Sequence, residues 1–456
     1  MRLKIADGCV YDAVSDWQGE VRDLFIDGHF LAARLTAVDR TIDAKGRVVL
    51  AGGIDLRGQA ATYGIHLLHL FNGHPPLPEL GLAYAAMGYT HVHEPFLTPV
   101  TASVVHRQLA ALAVVDASAS LVLNLRDLDL PLKDRNRWPE VAQTIKFLME
   151  KTRSLDVRVV EPFVRYRQEF YTHRAITTQA ALETLTDLSL SHGLKMTLEA
   201  TPQVLHTPFL EPRVFHLAGL GQALLDENAL EAALGHLEAG VSADCGLASP
   251  RRTNDGPSVK VDLGWYQPLD LRPAISEPQA RRALNLALRY QGPNLAFSIL
   301  GPILSPGQDY PSMFSWLLDR STRRPDWQKT GEMREWSLSE WAWATRALPA
   351  KLLGLGDRGH LKPGSRADVA IYDFPAQASG PSPPASLGRV HTLIKAGEVV
   401  IDNCEIVKPH AAKEIYYRQA GAQSTDLVEE ICQYRSFRPE HLWVRDDLGG
   451  PWVGIG

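Results

Sequence analysis

The sequence has no CxxC pair, no block of five or more like charges, and no long uncharged apolar run. Each absence removes a class of protein. The four cysteines, Cys9, Cys245, Cys404 and Cys432, are scattered along the chain, which excludes a zinc ribbon or a disulfide scaffold and fits a reducing cytosol. The longest apolar region, Ala110 to Leu125, is broken by Asp116 and several serines, short of the ~18 apolar residues that a membrane-crossing helix needs. The start, MRLKIADGCVYD, lacks the apolar core of a signal peptide. Lys plus Arg is 47 and Asp plus Glu is 52, a net charge of −5, which argues against a nucleic-acid binder. Nucleophile-elbow, P-loop and HExxH signatures are missing, as is any internal repeat. The expectation is a cytoplasmic protein with neither nucleic acid nor membrane as partner.

What is present is a chain of 456 residues, 45% hydrophobic and 22% charged, an ordinary globular balance. Such a length buries a large core without staples. At about 150 residues per domain it holds about three, or fewer if a barrel takes ~250 for itself.

The N-terminus reads as short strands, Leu3–Ile5, Val21–Ile26 with the turn Asp27-Gly28, and Val48–Leu50. Then apolar strands alternate with helical stretches, the pattern of βα units and a parallel sheet. Eight candidate strands end near Ile54–Leu56, Thr90–His93, Leu121–Leu125, Val157–Val160, Met196–Leu198, Val214–Leu217, Gly240–Ala243 and Leu295–Ile299. Helical patterns fall at Leu77–Met87, Val141–Thr152, Thr178–His192 and Pro278–Tyr290. Eight such units predict an α/β fold, a (β/α)8 TIM-like barrel. Further on come the strand ADVAIYD, a Pro/Ser/Ala/Gly-rich loop at Phe374–Gly388, and two strands joined by the turn Lys395–Glu398. Short β pieces at both ends point to one small β-sandwich domain built from both termini. The expected division is 1–50 and 356–456 (with a tail) for that domain, and 51–355 for the barrel.

Several motifs have two readings. Gly354-Leu355-Gly356-Asp357-Arg358-Gly359 matches GxGxxG, but a helix-like stretch, Leu338–Leu353, precedes it, so a glycine helix stop is favoured over a dinucleotide site. His91 and His93 share one face of a strand and suit either a metal or a hydrogen-bonded pair. His66, His69 and His74 form a loose cluster with Glu79 as its one carboxylate, better suited to structure than to ligation. Trp316, Trp327, Trp336, Trp341 and Trp343 suit a helical layer over the barrel, with a binding surface as the other option.

The string from Leu348 to Asp373, LPAKLLGLGDRGHLKPGSRADVAIYD, resembles the C-terminal signature of the amidohydrolase superfamily. Ile394–Val400 is similar to the strand pair that follows it there, and Val48–Asp55 to the lead into barrel strand one. Further segments resemble one branch, the formyl-hydrolysing subunit of formylmethanofuran dehydrogenase and its counterpart in the bacterial formyltransferase/hydrolase complex. These are Met87–Glu94, Val157–Pro162, Phe215–Leu220, Tyr310-Pro311, and Thr345-Arg346 ahead of Pro349-Ala350-Lys351.

The resemblance implies two metal ions at the barrel mouth. Strand one would supply His-x-His, strand four a bridging lysine, strands five and six histidines, and strand eight an aspartate. This sequence departs at almost every one of those positions. Arg57 and Gln59 stand for the first pair, Arg158 for the lysine, and Thr197 and Glu199 for the strand-five histidines. On strand six His216 is kept, but Gly219 and Ala223 stand at the next histidine positions, and Leu300 stands near the aspartate's place. Arginine has no lone pair for a metal and stays protonated.

The resemblance and its departures together imply a degenerate, non-catalytic pseudoenzyme. Its expected role is scaffold or partner for other subunits of a formyltransferase/hydrolase-type complex in tetrahydromethanopterin-linked one-carbon metabolism, with a methanofuran-like cofactor nearby. No cofactor of its own is expected. One alternative is a hydrolase of C–N bonds with zinc or a similar ion on rearranged ligands from His93, Glu94, Glu161, Glu199 and His216. In that case Glu199, His216 and Asp244 are the catalytic candidates. Another alternative is a module in which Arg57, Arg158 and Arg165 bind an anionic polyglutamyl-type cofactor tail.

Overall fold

The computed structural model describes residues 1–62, 75–123, 125–160, 178–248, 260–261, 269–270, 275–300, 306–330, 333–375, 388–408, 412–419, 421–448 and 451–455. Five strands open the chain: β1 (Arg2–Asp12), β2 (Trp17–Asp27), β3 (Phe30–Ala32), β4 (Arg40–Asp43) and β5 (Arg47–Ala51). Strand β1 pairs antiparallel with β2 and parallel with β4 and β5. Its alternate residues Leu3 and Ile5 are fully buried, so the period-two pattern sets which face meets the core.

The barrel strands follow: β6 (Gly53–Asp55), β7 (Tyr89–Leu97), β8 (Asp116–Leu123), β9 (Asp156–Val159), β10 (Met196–Glu199), β11 (Phe215–Ala218) and β12 (Ser242–Asp244). A small antiparallel ribbon of β13 (Lys260–Val261) and β14 (Leu269–Asp270) precedes β15 (Leu295–Ala296). Strands β6 to β12 and then β15 pair in parallel, each with the next in that order. Parallel neighbours need crossovers, and helices supply them, among them Leu77–Ala86, Trp138–Lys151, Thr178–His192, Glu227–Glu238 and Glu277–Arg289. No pairing joins the first and last strands of that order among the described residues, but Ile54 of β6 and Ala296 of β15 share one apolar cluster with Leu348. Tyr310, on the helix after β15, donates its hydroxyl to Asp55 of β6.

Each candidate strand end from the sequence falls on one of these eight strands. Three boundaries shift by two residues or more, among them that of β15, which stops at Ala296 rather than Ile299. The third strand stops at Leu123, because Leu125 already begins a helix, and β7 runs on to Leu97.

Four strands then return to the first sheet: β16 (Val369–Pro375), β17 (Thr392–Lys395), β18 (Glu398–Asp402) and β19 (Glu405–Ile406). Its order is β19-β18-β17-β16-β5-β1-β2-β3, with β4 on β1. This is the small β domain fed by both termini, with its own core around Leu3, Val10, Val49 and Ile371. The expected loop at Phe374–Gly388 loses its first two residues to β16, and 376–387 lies outside the described residues.

Two last strands, β20 (Glu414–Tyr417) and β21 (Trp452–Ile455), extend the barrel sheet: β20 runs parallel to β8, and β21 parallel to β20. A buried charge cluster joins the sheet to the barrel. Asp116 of β8 takes Arg358 Nη1 and Lys395 Nζ, each at 2.7 Å, and Lys395 also donates to the Thr90 carbonyl at 2.9 Å. Burial alone raises a carboxyl's pKa, but these cations outweigh it and hold Asp116 far below the usual range.

The GxGxxG stretch is a helix stop. The helix Leu348–Leu352 ends there, Gly354 takes φ +70°, and the Leu355 N–H bonds back to Ala350 O at 2.8 Å. The tryptophans form the packing layer: Trp327 meets Trp316 edge to face, and Trp341 meets Phe314 and Tyr372. Among the described residues no helix is long and apolar enough to cross a membrane.

Candidate functional site

TIM-barrel strands are ordinarily near-continuous apolar runs, with branched residues filling the interior. Here every second position of the strands carries a polar group: His91 and His93 on β7, Ser118 and Ser120 on β8, Asp156 and Arg158 on β9. The pattern continues with Thr197 and Glu199 on β10, His216 on β11, and Ser242 and Asp244 on β12. Same-parity residues on a strand share a face. These groups bond to one another, so that face lines the barrel interior.

The upper part is a charged triad. Arg57, two residues past the end of β6, donates from Nη1 to Glu199 Oε1 at 2.8 Å. Arg158 Nη1 donates to the same oxygen. Strands β6 and β10 stand four places apart in the order, so this contact spans the interior. All three side chains are buried, and Glu199 Oε2 accepts from Gln222 Nε2 at 3.2 Å. Burial opposes charge on Glu199, but Arg57 and Arg158 outweigh it and hold the carboxyl below its ordinary value. The Glu199 charge likewise overcomes burial to keep Arg57 protonated. Both guanidiniums sit over Phe96, with Cζ at 5.2 and 5.5 Å from the ring centroid. The Arg57 backbone N–H is fixed by Asp55 Oδ1 at 2.8 Å.

Below the triad lie the two histidines. His91 Nε2 and His93 Nδ1 each lie 2.8 Å from the Ser118 hydroxyl, and His93 Nε2 lies 2.6 Å from that of Ser120. His93 Nε2 is also 3.4 Å from Asp156 Oδ1, while Thr197 donates to Asp156 Oδ2 at 3.0 Å. Burial pushes the His91 pKa well down, so it is neutral at physiological pH. The pair is hydrogen-bonded, as one of its two readings held.

On the far side, His216 Nε2 is 3.5 Å from Asp244 Oδ2, and its Nδ1 is 3.1 Å from Ser242 Oγ. Asp244 Oδ1 accepts from the Gly219 N–H at 2.9 Å and from the Ser298 hydroxyl. Gly219 takes φ +68°, and a Cβ there would lie 2.9 Å from Leu300 and 3.3 Å from Arg57 Cζ. Only glycine lets the chain pass so close to the arginine. The next residue after Asp244, Cys245, is no nucleophile, since burial pushes its thiol up to about 12.

Glu94 is fully buried and clamps the segment after β6. It accepts from Ala61 N at 2.8 Å, Thr62 Oγ1 at 2.6 Å and Phe96 N at 3.1 Å. Burial raises its pKa despite these bonds. Glu161, Arg165, His66, His69 and His74 lie outside the described residues.

Comparison with known proteins agrees with this architecture. A model of the amidohydrolase family matches residues 304–401. The FhcA subunit of the formyltransferase/hydrolase complex of Methylorubrum extorquens is 26% identical, over 91% of each chain. Protein FwdA of Methanocaldococcus jannaschii is 22% identical, over 99% of this chain and 98% of its own. A chain of the crystal structure of the FhcABCD complex from Methylorubrum extorquens, in complex with methylofuran, superposes over 100% of both chains, with TM-score 0.83 and 24% identity. Dihydropyrimidinase from Brevibacillus agri superposes at TM-score 0.55 and 15% identity, over 91% of this chain and 98% of its own.

This chain is an amidohydrolase-fold protein.

The amidohydrolase fold implies a dinuclear metal centre at the barrel mouth, and these residues do not fit one. Such a centre needs several free donors around paired ions. Here Arg57 and Arg158 bring positive charge to the middle of the site, and Glu199 is committed to both. The donors of a rearranged centre are engaged as well: His93 by two serines, Glu94 by three donors, and His216 by Ser242 and Asp244. Among the described residues no group of three His, Cys, Asp or Glu is placed to hold a metal ion.

Sequence reasoning missed Gln222, Phe96, Asp156 and the serines of β8 within this amidohydrolase-fold barrel. The signal for the strand residues was available: DASAS and DVR place polar groups at every second position of buried strands. Gln222 and Phe96 left no local signal, because their roles come from contacts between distant strands.

Proposed function

We propose that this chain is a catalytically degenerate amidohydrolase-fold subunit, serving as scaffold or partner within a formyltransferase/hydrolase-type complex of one-carbon metabolism. One observation carries the reading. At the positions where the fold would gather metal ligands, Arg57, Glu199 and Arg158 close into a buried ion triad. Removing a partner from such a triad is costly, so it stays closed rather than opening to receive a divalent ion. The full-length likeness to a chain of the FhcABCD complex supports the subunit role.

Two assays on the purified full chain test this. Alone, it should hydrolyse an N-formyl amine no faster than buffer. Mixed with the remaining subunits of a formyltransferase/hydrolase complex, it should co-elute with them. Enzymatic turnover by the chain alone, lost in His216→Ala, would overturn the degenerate reading; failure to co-elute would overturn the subunit role.

A further inference from the structure

The ring of helices around the barrel is thin at one place. In a TIM barrel each strand is followed by a helix that packs on the outside of the sheet. The crossover from β10 to β11, residues 200–214, holds one helix of four residues, Pro202–Leu205. The crossovers on either side carry helices of 15 and 12 residues, Thr178–His192 and Glu227–Glu238. The short crossover leans on the second of these, since His236 Nε2 donates to the Leu205 carbonyl at 3.0 Å. On its other side a groove of about 160 Å³ lies between Pro208-Phe209 and the helix Thr178–His192.

Leu182, Glu183, Thr186 and Asp187 form the helix wall of the groove, at the three- and four-residue spacing that places them on one stripe, and Leu190 continues that stripe. Leu182 is buried, while Phe209 is 62% exposed and Leu190 45% exposed. An exposed aromatic ring beside an apolar floor is the makeup of a protein-interface anchor. Among the described residues that line the groove, the charged ones are Glu183 and Asp187. Glu183 Oε1 accepts from Gln179 Nε2 at 3.0 Å, and Asp187 Oδ2 accepts from Arg135 Nη2 at 3.1 Å. Arg135 is itself exposed, and such surface pairs are worth about 1 kcal/mol or less, so a cation from outside can replace it. We propose that this groove docks an amphipathic helix of a partner protein, with apolar residues on Phe209 and Leu182 and arginine or lysine against Glu183 and Asp187. A helix in a groove beside a helical stripe is a recurring mode of recognition. The two carboxylates turn away phosphates and nucleic acid, and the groove lies on the outer wall of the barrel, away from the mouth where barrels take small ligands.

This inference rests on the subunit role proposed above and names the face that the role would use. Affinity and association rate are measured by biolayer interferometry on the immobilised full chain, with the remaining subunits of the formyltransferase/hydrolase complex of the same organism as probe. Phe209→Asp should weaken binding at least about tenfold. The double variant Glu183→Lys, Asp187→Lys should also weaken it at least about tenfold, chiefly through slower association. Wild-type affinity should fall between about 50 and about 500 mM salt, and the lysine variant should lose that dependence. Val21→Asp, at a residue of β2 that is 69% exposed, is the control and should bind within about twofold of wild type. Circular dichroism checks folding, and Leu190→Asp replaces Phe209→Asp, with the same expectation, if that variant is unfolded. If the wild type binds and either groove variant binds as tightly, the inference is overturned and the subunit role stands. An equal loss in Val21→Asp overturns it too. If the wild type does not bind, the subunit role fails and this inference fails with it.

Discussion

Arg57 Nη1 donates to Glu199 Oε1 at 2.8 Å, between residues 142 apart in sequence, one just past the end of β6 and the other at the end of β10 across the barrel. The contact decides what the barrel mouth can do. A guanidinium held there by a carboxylate occupies the centre of a site that, in this fold, would collect cations.

Breaking the triad should cost more than deleting it. Glu199→Ala leaves two buried cations unpaired, and unfolding in denaturant should show a loss of about 3–5 kcal/mol. Replacing all three, as R57M, R158M and E199L together, should restore stability to within about 1 kcal/mol of wild type or exceed it. A Glu199→Ala loss below about 0.5 kcal/mol would show that the contact is not formed in solution.

The buried histidine sets a pH dependence. The His91 pKa is lower in the folded state than its unfolded value of about 6.5, so its contribution is present above that pH and lost as pH falls below it. His236, depressed mainly by burial, acts in the same direction. Glu199 and Asp244, held below the carboxylate range, lose their contributions only at more acid pH, below about 4. Asp55 and Glu94, raised by burial, work with the opposite sign: their contributions are lost as pH rises through their folded values. Between pH 6.5 and 5.5, unfolding free energy should therefore fall on acidification. His91→Gln, which keeps a donor near Ser118, should flatten the slope by up to about 1.4 kcal/mol per pH unit. An unchanged slope in the variant would contradict the assignment.

Gly219 tests the close packing around Arg57. Gly219→Ala forces a Cβ into a left-handed position against Leu300 and Arg57, and should destabilise by about 1–2 kcal/mol or more. Gly235→Ala, in the helix Glu227–Glu238 with open space around it, should instead stabilise by about 0.5–1 kcal/mol. Comparing the two denaturation midpoints checks both signs.

Lys395→Met should loosen the joint between the small β domain and the barrel. It removes one of the cations on Asp116 and a donor to Thr90, with an expected cost of about 3–5 kcal/mol in denaturant. A near-neutral result would mean that Arg358 alone satisfies Asp116.

Most of the scaffold was legible in the sequence. Alternating apolar positions such as Met196 and Leu198 marked the barrel strands, because one face of each strand packs into an apolar layer while the other carries the polar groups. The identity of the site residues was also legible: Arg57, Arg158 and Glu199 stand out as charges at strand ends. Their mutual pairing was not, since residues 142 apart leave no periodicity between them. Strands β20 and β21 were missed for a similar reason. EIYY and WVGI are too short to announce a partner, and the pairing of β20 with β8 and of β21 with β20 is set by the completed barrel. Lys395 reads as one end of a turn, and only the fold shows its amine buried against Asp116.

The most direct test of the account is metal content by mass spectrometry on folded protein purified without chelator or added metal. The closed Arg57–Glu199–Arg158 triad predicts less than about 0.1 equivalent of any transition metal per chain. About one or two equivalents, lost on His93→Ala or His216→Ala, would contradict it and return metal-assisted hydrolysis to this barrel.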